Sequence, residues 1–115
     1  MVRISGKAKI VSVFIGESDR FEGKSLYKAI VRLVRDEGLA GVTVTRGIEG
    51  FGPNSRVRSS SILRLSSDLP ILVQIIDSEE YVEKILPRLC EMVTKGLITV
   101  QDTEVVKYAA PEASD

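Results

Sequence analysis

Two nearly continuous apolar runs, at residues 10–15 and 71–76, constrain the fold of this chain more than any other feature. A strand that is buried on both faces has such a run, whereas a strand with one wet face alternates apolar and polar residues. Residues 42–45, Val-Thr-Val-Thr, alternate in this way. The sequence therefore predicts a sheet in which the two runs are central strands and residues 42–45 form an outer strand.

Each run is followed by a helical pattern. Between residues 24 and 37, and again between residues 81 and 93, apolar residues recur every three or four positions. Gly38 and Gly96 stand directly after these patterns, where a left-handed residue ends a helix. Residues 98–106 indicate a last strand, whereas residues 59–65 fit either a short strand or an irregular arm.

The second helix carries three more specific predictions. Either Asp77 or Ser78 can cap its N-terminus, and Glu80 completes a capping box if Asp77 is the cap. Cys90 falls on the apolar stripe, which predicts a small buried residue. Pro87 is expected to bend the helix one turn earlier, near residue 83.

The order β-α-β, long connection, β-α-β predicts an α+β fold, a ferredoxin-like βαββαβ two-layer sandwich with an antiparallel sheet. One domain is expected at residues 1–108, with a frayed tail at 109–115. Two helices can cover only one face of four strands, whereas Ile10, Phe14 and Ile76 point to the other face. Because soluble monomers rarely expose so much contiguous apolar surface, the sequence predicts a homo-oligomer.

Composition argues against several functions. The chain has 16 basic and 16 acidic side chains and 5% aromatic residues, so neither a basic excess nor stacking surfaces favour nucleic-acid binding. It has no histidine and a single cysteine, which argues against a histidine base and a zinc cluster. Its apolar runs are too short to cross a bilayer, so we expect a cytoplasmic protein without membrane insertion. No cofactor and no enzymatic activity are predicted.

The segment after the alternating strand is the best candidate for a binding site. Arg46 leads into a stretch with glycines at 47, 50 and 52, and Arg56 and Arg58 follow. Glycine lets a ligand approach the main chain closely, and arginine donates charged hydrogen bonds to phosphates and carboxylates. The stretch matches neither the phosphate-loop nor the dinucleotide-binding pattern. The connection at 47–68 is thus predicted to be a long loop, either a ligand and partner site or a solvated loop without a ligand.

These motifs resemble the PII-like superfamily of small trimeric regulators. The resemblance rests on residues 16–20 (Gly-Glu-Ser-Asp-Arg), 46–52 (Arg-Gly-Ile-Glu-Gly-Phe-Gly) and 68–70 (Asp-Leu-Pro) and extends over residues 4–107. The chain is most similar to the branch catalogued as domain of unknown function 190. The resemblance implies a ferredoxin-like homotrimer whose sheets face inward.

It also implies where a ligand would bind. In PII proteins the loop after the second strand, the T-loop, contacts partner proteins, and its base carries a Gly-Phe-Gly that residues 50–52 match. Adenine nucleotides bind in the cleft between subunits against that base. A second loop holds phosphates with a Gly-Asp-Gly-Lys run, which is absent from residues 96–102 here. Lys95 and Thr99 remain as polar contacts there, and Lys107 is the nearest match to the C-terminal arginines.

The site predicted from motif and resemblance together therefore has ten members: Arg46, Gly47, Gly50, Phe51, Gly52, Arg56, Arg58, Lys95, Thr99 and Lys107. The predicted function is a trimeric regulator that binds a small anion, an adenine nucleotide above others, and contacts a partner protein through the 47–68 loop. Two alternatives stay open. One is a divalent-cation tolerance or sensing protein like the CutA family, and the other is an acylphosphatase-like enzyme using Arg56 and Asn54.

Overall fold

The computed structural model describes residue 4 and residues 6–51, 57–59 and 68–110, with only the backbone described at 51 and 57–59. The elements follow in chain order: β1 Gly6–Gly16, β2 Arg20–Phe21, β3 Lys24–Ser25, α1 Leu26–Asp36, β4 Val42–Arg46, β5 Glu49–Phe51, β6 Val57–Ser59, β7 Pro70–Asp77, α2 Glu79–Met92 and β8 Leu97–Val105. The tail predicted to fray lies outside the described residues from position 111 onwards.

The main sheet has four strands in the order β4-β7-β1-β8, and every neighbouring pair is antiparallel. The two apolar runs form the central strands β1 and β7, and the alternating segment forms the edge strand β4. Helices α1 and α2 pack on one face of this sheet. The predicted α+β ferredoxin-like sandwich is therefore confirmed.

The core lies between the sheet and the helices. Alternate residues of the central strands, such as Val11 and Val73, meet Ile30 of α1 and Ile85 of α2, and all four are fully buried. The helices reach this layer because their apolar residues recur at helical spacing. Strands β1 and β7 lie at the centre of the sheet, as their nearly continuous apolar runs predicted.

Asp77 is a fully buried acidic residue at the end of β7. Its carboxylate accepts hydrogen bonds from the backbone N–H of Ala40, at 2.8 Å, and of Ser78, at 2.7 Å. It thereby ties the connection before β4 to the start of α2. Ser78 is the N-cap residue, so the capping box that required Asp77 as the cap is not formed.

The prediction that Cys90 is buried is wrong, because its side chain is exposed. Leu89, one position earlier, is fully buried in the core. Successive helical residues are rotated by about 100°, so Cys90 lies beyond the edge of the stripe that faces the sheet. Pro87 lies within α2, which continues to Met92, and the bend near residue 83 stays a prediction.

The other face of the sheet, here called the open face, carries no helix among the described residues. Phe14 is 40% exposed there and Ile76 is 43% exposed, in agreement with the side-chain placement that the sequence predicted. The centre of the face is polar, however, because Gln74 Nε2 donates a hydrogen bond of 3.3 Å to the hydroxyl of the buried Ser12. Thr43 and Thr99 flank this pair on the two edge strands, so a polar row crosses the open face between its apolar side chains.

Gly96 holds the start of β8 against β1. Its φ is +151°, and a Cβ at this position would lie 2.7 Å from the carbonyl oxygen of Phe14. Both the backbone conformation and the close approach therefore require glycine.

Gly96→Ala is expected to lower the free energy of unfolding by roughly 2–4 kcal/mol, because strain and overpacking act at one position. Urea unfolding at a fixed protein concentration measures the change. Gly41→Ala is the matched control, since a Cβ at Gly41 would meet nothing within 4 Å. Equal stabilities of the two variants would contradict the described contact.

None of the helices in the described part of the chain is long and apolar enough to span a membrane.

Candidate functional site

Several chain segments meet at one end of the sheet. Strand pairing places Gly16 at the end of β1 beside Pro70 at the start of β7, and Arg46 at the end of β4 beside Ile71. At the same end Phe14 pairs with Leu97 at the start of β8. This end, here called the hairpin end, therefore collects residues that are distant in the sequence.

Glycine allows the segment after β4 to lie directly on Pro70. The N–H of Gly47 donates a hydrogen bond of 2.7 Å to the carbonyl oxygen of Pro70. A Cβ at Gly47 would lie 2.9 Å from Pro70 Cγ, and one at Gly50 would lie 3.6 Å from the same atom. The two glycines thus bring main-chain atoms to the hairpin end without side chains of their own.

The described part of the connection from 47 to 68 contains two short strands. Strands β5 and β6 pair as an antiparallel ladder in which Gly50 faces Arg58 and Phe51 faces Val57. Val57–Ser59 therefore includes the first residue of the segment left open as strand or arm. Gly52, Arg56 and Asn54 lie outside the described residues, as does the range 60–67.

Glu17 also lies at the hairpin end, although the sequence analysis did not include it among the ten site residues. Its N–H bonds the carbonyl oxygen of Leu69 at 2.8 Å, which fixes the turn after β1 against the start of β7. Its carboxylate is only 13% exposed and pairs through Oε2 with the guanidinium of Arg46, which is 55% exposed. The other oxygen, Oε1, is buried and has no protein partner. An acidic residue directly after a buried strand was the available signal.

Two further carboxylates fasten the same turn. Asp19 accepts a hydrogen bond of 2.9 Å from the N–H of Gly16, and Asp68 accepts one of 3.2 Å from the N–H of Ser18. These acids therefore bind main-chain N–H groups across the hairpin end.

The structure brings only part of the predicted site together within one chain. Arg46, Gly47 and Gly50 lie at the hairpin end on the β4 side. Lys95 precedes β8, so it lies at the same end beside the opposite edge strand, three strand spacings of roughly 4.8 Å away. Thr99 lies along β8 opposite Ser12, on the open face.

Lys107 lies at the other end of the sheet. It lines a groove of about 580 Å³ together with residues 40–43 at the start of β4 and with Ile76. One protomer therefore cannot place Lys107 and Arg46 around the same small ligand.

In the described part of the chain, no group of three or more Cys, Asp or Glu side chains is arranged to hold a metal ion.

Comparison with known proteins assigns the chain to a family. The model of the family DUF190, described as "Uncharacterized ACR, COG1993", matches residues 8–105. The chain belongs to this family. A relative from Methanocaldococcus jannaschii, UPF0166 protein MJ1524, is 40% identical over 102 residues, which cover 88% of this chain and 94% of the relative. A UPF0166 protein from Aquifex aeolicus is 38% identical over 100 residues, with coverage of 87% and 94%.

Solved structures show that this DUF190 chain has the PII-like fold. One is CPII from Thiomonas intermedia K12 bound to ADP and bicarbonate, with a TM-score of 0.65, 17% identity, and coverage of 92% of this chain and 95% of CPII. Another is CPII, a nitrogen regulatory PII-like protein, bound to ADP, AMP and bicarbonate, with a TM-score of 0.67, 16% identity and coverage of 92% and 94%. The PII-like resemblance predicted from the motifs is confirmed at the level of family and fold.

Proposed function

We propose that this protein is a non-enzymatic regulator that binds an adenine nucleotide where copies of the chain meet and signals through the β5–β6 hairpin. The observation that carries the proposal is the half-exposed Arg46 at the hairpin end, between a buried acid and a glycine-lined backbone. CPII, which shares the fold, binds ADP. A guanidinium beside a glycine-lined backbone, which a ligand can approach closely, suits the diphosphate of such a ligand.

In this proposal the complete binding site forms only in a homotrimer, from residues of neighbouring copies. The polar residues predicted to contact the ligand are divided between the two edges and the two ends of one sheet, too far apart for one small molecule. Copies that associate through their open faces would set the hairpin end of one protomer beside the edge of the next. The exposed Phe14 and Ile76 supply the apolar area for such an interface.

The pairing of Arg46 with Glu17 gives the proposed switch its mechanism. A bound phosphate would compete with Glu17 for the guanidinium, and Arg46 lies three positions before the first residue of β5. Moving Arg46 therefore changes the base from which β5 and β6 project. Because ligand and Glu17 favour different positions of one side chain, the nucleotide shifts the equilibrium between two hairpin orientations. A partner protein would bind one of the two hairpin orientations in preference to the other.

Calorimetric titration of the purified protein with ADP, ATP and AMP tests the proposal. We expect saturable binding of at least one of them in the micromolar range, with no turnover of the bound nucleotide. Absence of binding to all three would refute an adenine-nucleotide regulator. Steady hydrolysis of a bound nucleotide would refute the non-enzymatic part of the proposal.

Arg46→Ala is expected to weaken nucleotide binding at least about tenfold, which corresponds to ~1.4 kcal/mol, because a charge-assisted contact to phosphate is lost. The same titration measures the change. Arg35→Ala is a suitable control, since Arg35 is an exposed arginine at the end of α1, away from the hairpin end. Equal losses in the two variants would indicate a nonspecific charge effect and contradict the assignment of Arg46.

A further inference from the structure

A second groove lies on the helix layer, on the opposite side of the molecule from the open face. It has a volume of about 610 Å³ and runs between α1, α2 and the small hairpin of β2 and β3. Phe21, Leu33 and Met92 form its apolar floor. We call it the helix-layer groove.

Basic side chains from three elements line this groove. Arg20 and Lys24 belong to the β2–β3 hairpin, Lys28 and Arg32 to α1, and Arg88 to α2. Within the described residues, the first four have no ion pair, and Arg88 has only a loose one, at 3.8 Å from Glu91. Unpaired cations that lie near one another repel, and a bound anion would relieve this repulsion. These basic side chains therefore suit an anionic partner.

The cations form a row along the groove. Lys28 and Arg32 are one helical turn apart, and the hairpin sets Lys24 beyond the N-terminal end of α1. Carboxylates also line the groove, with Glu22 at the β2–β3 turn and Asp36 and Glu37 at the C-terminal end of α1. The groove therefore presents mostly positive charge, with a carboxylate at the hairpin and two more at the C-terminal end of α1.

We infer that the helix-layer groove docks an acidic segment of a partner protein, with its carboxylates along Lys24, Lys28 and Arg32 and a basic residue toward Asp36. Carboxylates placed four residues apart on a partner helix have the same one-turn spacing as Lys28 and Arg32. The apolar floor adds contact area beneath the ion pairs. This inference does not depend on nucleotide binding at the hairpin end.

Two other kinds of ligand fit the groove less well. The cations are exposed, so each ion pair contributes at most about 1 kcal/mol, and a compact single anion reaches too few of them. A nucleic-acid backbone is an extended anion, but it would meet the carboxylates of Asp36 and Glu37 with its own negative charge. A polypeptide can carry both signs in sequence, as this groove requires.

The location of the groove leaves it accessible after self-association. The open face is on one side of the sheet, and α1 and α2 are on the other. A partner segment in the groove and a second copy on the open face therefore do not compete for the same surface.

NMR titration of the ¹⁵N-labelled full chain tests the inference. The probe is a short alanine-based peptide with three glutamates spaced four residues apart and two lysines at one end. We expect chemical-shift changes confined to the groove, with a dissociation constant of about 1 mM or tighter, as several weak ion pairs would give. The double variant Lys28→Glu, Arg32→Glu should bind at least about tenfold more weakly.

The controls separate the groove from general charge effects. Lys84→Glu reverses an exposed lysine of α2 that does not line the groove, and it should leave the affinity unchanged. A peptide with lysine in place of glutamate should cause no shifts in the groove. The inference is overturned if the acidic peptide leaves the groove resonances unmoved, if the double variant binds as the parent does, or if an oligo-deoxythymidine binds the groove more tightly than the peptide.

Discussion

Replacing Asp77 by alanine is expected to lower the free energy of unfolding by about 3 kcal/mol, because hydrogen bonds to a charged acceptor contribute roughly 1.5–3 kcal/mol each. The buried carboxylate accepts bonds from the N–H groups of Ala40 and Ser78. Its removal leaves the connection between α1 and β4 untied from the start of α2. Urea unfolding at constant protein concentration measures the loss.

Two variants make this prediction specific. Asp77→Asn keeps the shape but replaces one acceptor oxygen by a donor, so it should lose a substantial part of the same stability. Asp102→Ala removes an exposed acid whose hydrogen bond from Lys9 lowers the pKa of Asp102 and raises the pKa of Lys9. Solvent screens that pair, so Asp102→Ala should have a much smaller effect. A stability of Asp77→Ala close to that of Asp102→Ala would contradict the role assigned to Asp77.

Phe14→Glu is expected to dissociate the proposed trimer. Phe14 is 40% exposed on the open face, so one chain tolerates the change, whereas an interface would bury one unpaired carboxylate per copy. Light scattering should report the native mass falling from that of a trimer to the 12.6 kDa of a single chain. Nucleotide binding should be lost with the oligomer if the site lies between copies.

The control for this experiment is Val100→Glu. Val100 is 43% exposed, close to the exposure of Phe14, but it pairs with Val11 and therefore lies on the helix side of the sheet. Val100→Glu should leave the mass unchanged. A parent protein that is already monomeric, or a Phe14→Glu variant that stays trimeric, would refute assembly through the open face.

The sequence predicted the fold well because its main signals were strong and independent. Continuous apolar runs identified the central strands, alternation identified β4 as an edge strand, and helical spacing located α1 and α2. The β2–β3 hairpin was missed because its turn residues are Glu22 and Gly23. Both adopt positive φ, at 52° and 79°, but glutamate is not among the residues that usually mark such a turn.

The candidate site was only partly predictable, for a different reason. Glycine and arginine motifs indicated Gly47, Gly50 and Arg46, since their chemistry is visible in one short stretch. The contribution of Glu17 depends on strand order, which brings the end of β1 next to the start of β7. No local pattern contains that information. Cys90 was assigned wrongly because a stripe at helical spacing does not show how wide the buried sector is.

The polar pair at the centre of the open face restricts how two sheets could dock. An entirely apolar surface would gain almost the same free energy in many mutual rotations, so docked copies could slide or turn. Ser12 and Gln74 bond each other, but a misrotated copy would cover the remaining donor and acceptor atoms of the amide without giving them partners, at roughly 1–3 kcal/mol per group. In an assembly through the open face, Ser12 and Gln74 would therefore favour a single angular setting between neighbouring copies, with less apolar contact area than an unbroken apolar surface would give.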